Sequence, residues 1–154
     1  MNSRRKINIL IEHGLGSINK ESLAKVADET LRSEGIKNNI ELNILLTDDK
    51  KIISLNRQFL GRPGATDVIS FGSKRLRGPS KALKGFIGEI AVSQDVARHN
   101  SVRFGTTVKK EIFLYVIHGI LHLLGYGDKT KKEQRVIQER QTEILEAICG
   151  RLNS

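Results

Sequence analysis

Within the stretch YVIHGILHLLGYGDKT, His118 and His122 stand four residues apart, and Asp128 follows six residues later. Side chains at i and i+4 of a helix share one face with Cβ atoms about 5–6 Å apart, close enough for two imidazoles to reach one metal ion. Gly125 offers a stop to such a helix, and the chain can turn back through Tyr126 and Gly127 so that Asp128 supplies a third donor. Two imidazoles, one carboxylate and an open fourth position make the pattern of a catalytic zinc, not of a closed structural one. The plain alternative is a pair of hydrogen-bonded core histidines. Against it stands the helix itself, whose Ile112, Phe113, Leu114, Val116, Ile117, Ile120, Leu121, Leu123 and Leu124 leave buried imidazoles little polar company.

The pair differs from the metalloprotease pattern H-E-x-x-H at one position. Where that pattern carries its general-base glutamate, this chain has Gly119. A peptidase of that design would lack its base, and a residue without a side chain instead allows another segment or a substrate to approach closely.

The elements that must position these residues follow from period and punctuation. Lys6 to Ile11 and the alternating Ile40 to Leu46 read as strands. Between them, Ser22 to Glu34 carries a helical stripe of Leu23, Val26, Ala27 and Leu31 that stops at Gly35. Asp48 or Asp49 can cap a second helix to about Leu60, with Ile52, Ile53, Leu55 and Phe59 inward, broken by Gly61-Arg62-Pro63-Gly64. Val68 to Phe71 and Phe86 to Val92 are two further strands. Ser93 caps a helix through about Phe104, Gly105 ends it, and Thr106 or Thr107 starts the histidine helix to Leu124. A polar helix from about Lys131 to Ile148 closes the chain, with Val136, Ile137, Ile144 and Leu145 inward. The order βαβαββααα describes a mixed α/β protein, a small sheet with helices packed on it, organised as one domain over residues 1–154.

The 154 residues suffice for a core that needs no disulfide staples. The lone Cys149 has no internal disulfide partner and suits a reducing cytoplasm. No targeting or membrane segment is expected: Asn8 interrupts and Glu12 closes the apolar start, and the uncharged run Ile112 to Gly127 includes two histidines and two glycines besides Gly127 and is too short in its apolar part. Twenty-six Lys and Arg against 17 Asp and Glu give a net charge of +9, so polyanions are the first partners to consider. From Gly72 to Lys110, nine positive side chains against Glu89 and Asp95 leave +7. Lys74, Arg75, Arg77, Lys81 and Lys84 crowd one acid-free loop, candidate contacts for an RNA backbone; with Phe71, Phe86 and Phe104 as the only nearby aromatics, phosphate contacts should dominate over base stacking.

The motifs HGILHLLGY, TDVISF (Thr66 to Phe71), GEIAVS (Gly88 to Ser93) and LNRQF before Gly61 appear in the order seen in the YbeY-type rRNA maturation factors, and the resemblance spans most of the chain. It implies a metal-dependent endoribonuclease acting on ribosomal RNA, notably the 3′ end of the small-subunit RNA, and in ribosome quality control, with rRNA and the ribosome as partners. It also implies a small mixed four-stranded sheet with about five helices and a zincin-like metal helix. His118 and His122 fall on the first two metal ligands of the family. The third is usually a histidine and here is Asp128, which lowers the formal charge of a zinc site to +1 and makes oxygen-preferring metals more competitive.

A second departure puts Leu60 where the family commonly has an arginine. Arg57 and Arg62 flank it, and either could contact a phosphate or a developing oxyanion; the alternative is a solvated surface arginine. The expected chemistry is phosphodiester hydrolysis assisted by Zn²⁺, with attack by the ribose 2′-hydroxyl as the competing route. Glu89 and Asp67 are read as structural or solvent-facing carboxylates, and no residue stands out as the base. The other readings are a ribosome-associated RNA-binding factor with a structural metal, and a metallopeptidase.

Overall fold

A computed structural model describes residues 5–12, 18–37, 39–72 and 85–152. The strands are β1 (Arg5–Ile11), β2 (Ile40–Thr47), β3 (Val68–Gly72) and β4 (Gly85–Ser93), and the helices are α1 (Lys20–Ser33), α2 (Asp49–Leu55), α3 (Gln94–Phe104), α4 (Val108–Leu123) and α5 (Lys131–Leu152). The order is the βαβαββααα read above. In the sheet the strands run β1-β2-β4-β3, with β1, β2 and β4 parallel and β3 antiparallel at the edge. The basic-loop candidates Lys74, Arg75, Arg77, Lys81 and Lys84 lie outside the described residues.

Local chemistry sets the boundaries. α1 begins before Ser22 because Asn19 and Ser22 cap each other: the Asn19 side chain accepts from Ser22 N at 2.8 Å and Ser22 Oγ takes the Asn19 N–H. Asp48, not Asp49, caps α2, accepting from Lys51 N at 2.9 Å. Thr107, not Thr106, caps α4, accepting from Lys110 N at 3.1 Å. Gly105 ends α3 in the left-handed conformation, at φ 67°. Thr130 and Glu133 form a reciprocal capping box at the start of α5.

Two inward assignments are corrected. After Leu55 the backbone continues as a turn of π-helix over Asn56–Leu60, and the wider turn rotates Phe59 out of the α-helical stripe. Phe59 is 59% exposed and packs edge-on against Phe71, with ring centroids 5.1 Å apart. Val136 also faces outward, while α5 buries Ile137, Ile144 and Ile148 along one stripe. Val136 lies one residue, about 100° of helical rotation, before Ile137, on the side of the stripe opposite Leu145, which packs against the core.

α1 and α4 pack on one face of the sheet, α5 packs on α4 and α1, and α2 covers part of the other face through Ile52 against Ile69 and Ala91. α4 is therefore central, and its apolar residues form much of the main core. Gly119 sits where α4 meets the sheet. A Cβ there would lie 2.9 Å from Ile90 Cγ2 and 3.1 Å from Val68 Cγ2, and Ser70 Oγ donates to the Gly119 carbonyl at 3.1 Å. The segment that approaches Gly119 is thus the β3–β4 hairpin, which fixes the histidine helix against the sheet edge. Among the described residues no helix is long and apolar enough to cross a membrane.

Candidate metal centre

Both histidines project from the last turns of α4 into a cleft of about 560 Å³ beside edge strand β3. Its walls include Leu60, Arg62, Thr66, Asp67, Ser70 and Asp128. The two Nε2 atoms face each other at 3.0 Å, with the rings nearly perpendicular at 81°.

Each imidazole is held from behind. His122 Nδ1 donates to the Tyr126 carbonyl at 2.9 Å, an acceptor only, which places the proton on Nδ1 and leaves Nε2 as a bare lone pair. Gln141 Oε1 lies 2.6 Å from His118 Nδ1 and accepts from it when that nitrogen carries the ring proton. The 3.0 Å between the Nε2 atoms suits a shared hydrogen bond when one of them carries a proton and a cation beside both when neither does. Tyr126 is anchored in turn: its hydroxyl donates to Glu34 Oε1 at 2.6 Å, and Arg140 Nε donates to Glu34 Oε2 at 2.6 Å. Adjacent α5 residues therefore reach both rings, Gln141 directly and Arg140 through Glu34 and Tyr126.

Asp128 follows the Gly125 stop, where the backbone turns with φ 103°. Its backbone carbonyl accepts from Gln134 Nε2 at 2.9 Å. Its carboxylate is 61% exposed, with Oδ2 3.7 Å from His122 Nε2. Tetrahedral zinc with bonds of about 2.0–2.1 Å sets its ligand atoms about 3.3 Å apart. The observed 3.0 and 3.7 Å bracket that spacing. Among the described residues no three His, Cys, Asp or Glu side chains already form a closed metal cluster. The two imidazoles and the exposed Asp128 carboxylate are donor types that a divalent ion accepts, with Asp128 the one that would have to move to reach it.

Burial lowers the pKa of His122 and the neighbouring His118 lowers it further, against the bond to Tyr126 and the charges of Asp128 and Asp67. The ring is thereby kept neutral, the form that ligates.

The two flanking arginines part company. Arg62 lines the cleft with the histidines, whereas Arg57 is exposed on the π-helical turn and is not part of the wall. Glu89 lies on the opposite face of the sheet from Ile90, which touches α4; it is exposed and accepts from Asn43 Nδ2 at 3.2 Å. Asp67, read above as structural, lines the cleft. Its Oδ1 accepts from Val68 N at 2.8 Å and Thr66 Oγ1 at 3.2 Å, and its Oδ2 has no hydrogen-bond partner among the described residues. Gln141 was not singled out from the sequence. Its signal was a polar residue on the buried stripe of α5, four residues after Ile137 and three before Ile144.

These features define a mixed α/β protein with a helix-borne histidine pair opening into a sheet-edge cleft. The same fold occurs in the solution structure of TM1509 from Thermotoga maritima, with a TM-score of 0.67 and 30% identity over 96% of this chain and 91% of that one. A protein named Endoribonuclease YbeY from Persephonella marina is 37% identical over 143 residues, covering 91% of this chain and 92% of the relative. One of the same name from Aquifex aeolicus is 31% identical over 150 residues, covering 97% of each. The family model described as Endoribonuclease YbeY matches residues 8–149, and the chain belongs to that family.

Proposed function

We propose that this chain is a zinc-dependent endoribonuclease that cuts single-stranded regions of ribosomal RNA, including the 3′ end of the small-subunit RNA, during ribosome maturation and quality control. The observation that carries the metal reading is the pair of Nε2 atoms 3.0 Å apart on one helix face, with both rings held from behind through Nδ1. His118, His122 and Asp128 would hold the ion. The ion, when bound, supplies Lewis acidity toward a phosphate oxygen and toward water.

The chain's own groups do the rest. Arg62, at the cleft wall, binds the scissile phosphate and shares the charge that develops on it. Gln141 and the Tyr126 carbonyl hold the imidazoles in the ligating tautomer. The position a zinc peptidase gives to its general base is Gly119, packed against Ile90 and Val68, where neither a carboxylate nor a substrate has room. That observation disfavours the peptidase reading. A single-domain, cytoplasmic protein working at the ribosome completes the proposal.

The test is cleavage of a labelled single-stranded RNA by the zinc-loaded chain, with Asp128→Ala and Arg62→Ala beside it and metal content measured for each. Asp128→Ala should lose metal and activity without loss of fold, and Arg62→Ala should lose activity with metal retained. RNA left intact by a metal-replete wild type would instead favour a binding factor with a structural ion.

A further inference from the structure

The connection between α3 and α4 carries two exposed apolar side chains among cations. Val102 is 85% exposed and Phe104 60%. Arg98, Arg103, Lys109 and Lys110 are exposed around them. Arg103 lies over the Phe104 ring, its guanidinium carbon 5.2 Å from the ring centroid. Two nearby acids offset only part of this charge. Asp95 already pairs with Arg98 at 3.8 Å. Glu111 is buried and accepts from Thr106 at 2.9 Å and Tyr115 at 3.1 Å. Arg103, Lys109 and Lys110 make no ion pair among the described residues.

We propose that this α3–α4 corner is a second contact surface for single-stranded RNA, distinct from the histidine cleft. Uncompensated cations select a polyanion. An exposed ring backed by a guanidinium is a platform for an unpaired base, which a duplex does not offer because its bases are already stacked on one another. A protein partner with an acidic, apolar surface would need the same charge but not the open ring. His118 lies eight residues beyond Lys110 on α4, about 12 Å at 1.5 Å per residue, so one strand can touch both places. The corner thus grips the RNA beside the bond to be cut. This rests on RNA being the substrate, as proposed above.

The experiment measures binding of a fluorescent oligouridine to the full chain by anisotropy across a salt series, with a chelator present so that cleavage is silent. Phe104→Ala should weaken binding roughly tenfold. The double variant Lys109→Glu, Lys110→Glu should flatten the log–log salt slope by about 1.4, at about 0.7 per lost phosphate contact. Lys6→Glu with Lys37→Glu changes net charge equally at exposed positions away from the corner and should alter the slope less. Unchanged affinity in both corner variants, or an equal effect from the control pair, overturns the proposal. Failure of the cleavage reading looks different. If oligouridine binding depends on Phe104 and the two lysines while the zinc-loaded chain cuts nothing, the surface stands and the nuclease assignment falls. If cutting depends on Asp128 while the corner variants bind as wild type, the surface falls and the assignment stands.

Discussion

Gln141→Leu removes the acceptor that sits 2.6 Å from His118 Nδ1 while keeping an apolar side chain of similar length against Ile137 and Ile144. Without that acceptor the His118 proton is free to move to Nε2, the atom that faces His122 at 3.0 Å. In that tautomer Nε2–H donates to His122 and cannot ligate. Loss of such a supporting hydrogen bond costs about 10–100-fold in metal affinity, or roughly 1.4–2.7 kcal/mol. Fold stability should fall by only about 1 kcal/mol, the net value of one side-chain hydrogen bond, or about 2–4 °C in Tm for a chain of this size. Gln141→Glu keeps an acceptor in place and should bind zinc at least as tightly as wild type. Competition with a chromophoric chelator gives the affinities, and ¹⁵N shifts of the His118 ring in the metal-free protein give the tautomer directly. The reasoning is refuted if Gln141→Leu binds zinc like wild type, or if the wild-type metal-free ring already carries its proton on Nε2, with the Gln141 amide group as donor.

Gly119→Ala places a methyl 2.9 Å from Ile90 Cγ2 and should destabilise the protein by about 1–3 kcal/mol, measured by thermal or denaturant unfolding. At acid pH, His122 has a folded pKa below the ordinary 6.5, so the unfolded chain takes up the proton first. That contribution to stability is complete above about pH 6.5 and is lost as pH falls through the folded value; the Tm of metal-free protein should show this decline, and His122→Gln should weaken it. At alkaline pH, burial and the bond to Glu34 push Tyr126 up to about 12, and burial also raises Tyr115. These are the only two tyrosines, so native protein should develop little phenolate absorbance through pH 10, where the unfolded chain ionises, and should lose stability as pH rises from there toward 12.

The resemblance and the periodicity read from sequence carried the element order because each signal is local. Ser93, Gly105 and the stripe of α1 mark their elements through hydrogen bonds and backbone conformations that span a few residues. Phe59 escaped that logic because one π-turn changes the phase without changing composition.

The histidine pair was equally legible, since spacing of four on an apolar helix puts both rings on one face wherever the helix goes. What surrounds the pair was not. Gln141 comes to His118 from 23 residues away, and Glu34 to Tyr126 from 92. Arg62 and Asp67 enter the cleft and Arg57 and Glu89 do not, although sequence separated neither the two arginines nor the two carboxylates. Sequence by itself determined the order of the elements, the placing of two imidazoles on one helix face and the excess of positive charge. Only the tertiary structure decided which groups hold each imidazole through Nδ1 and which charged groups stand beside it, because those depend on contacts between segments whose approach no local pattern encodes.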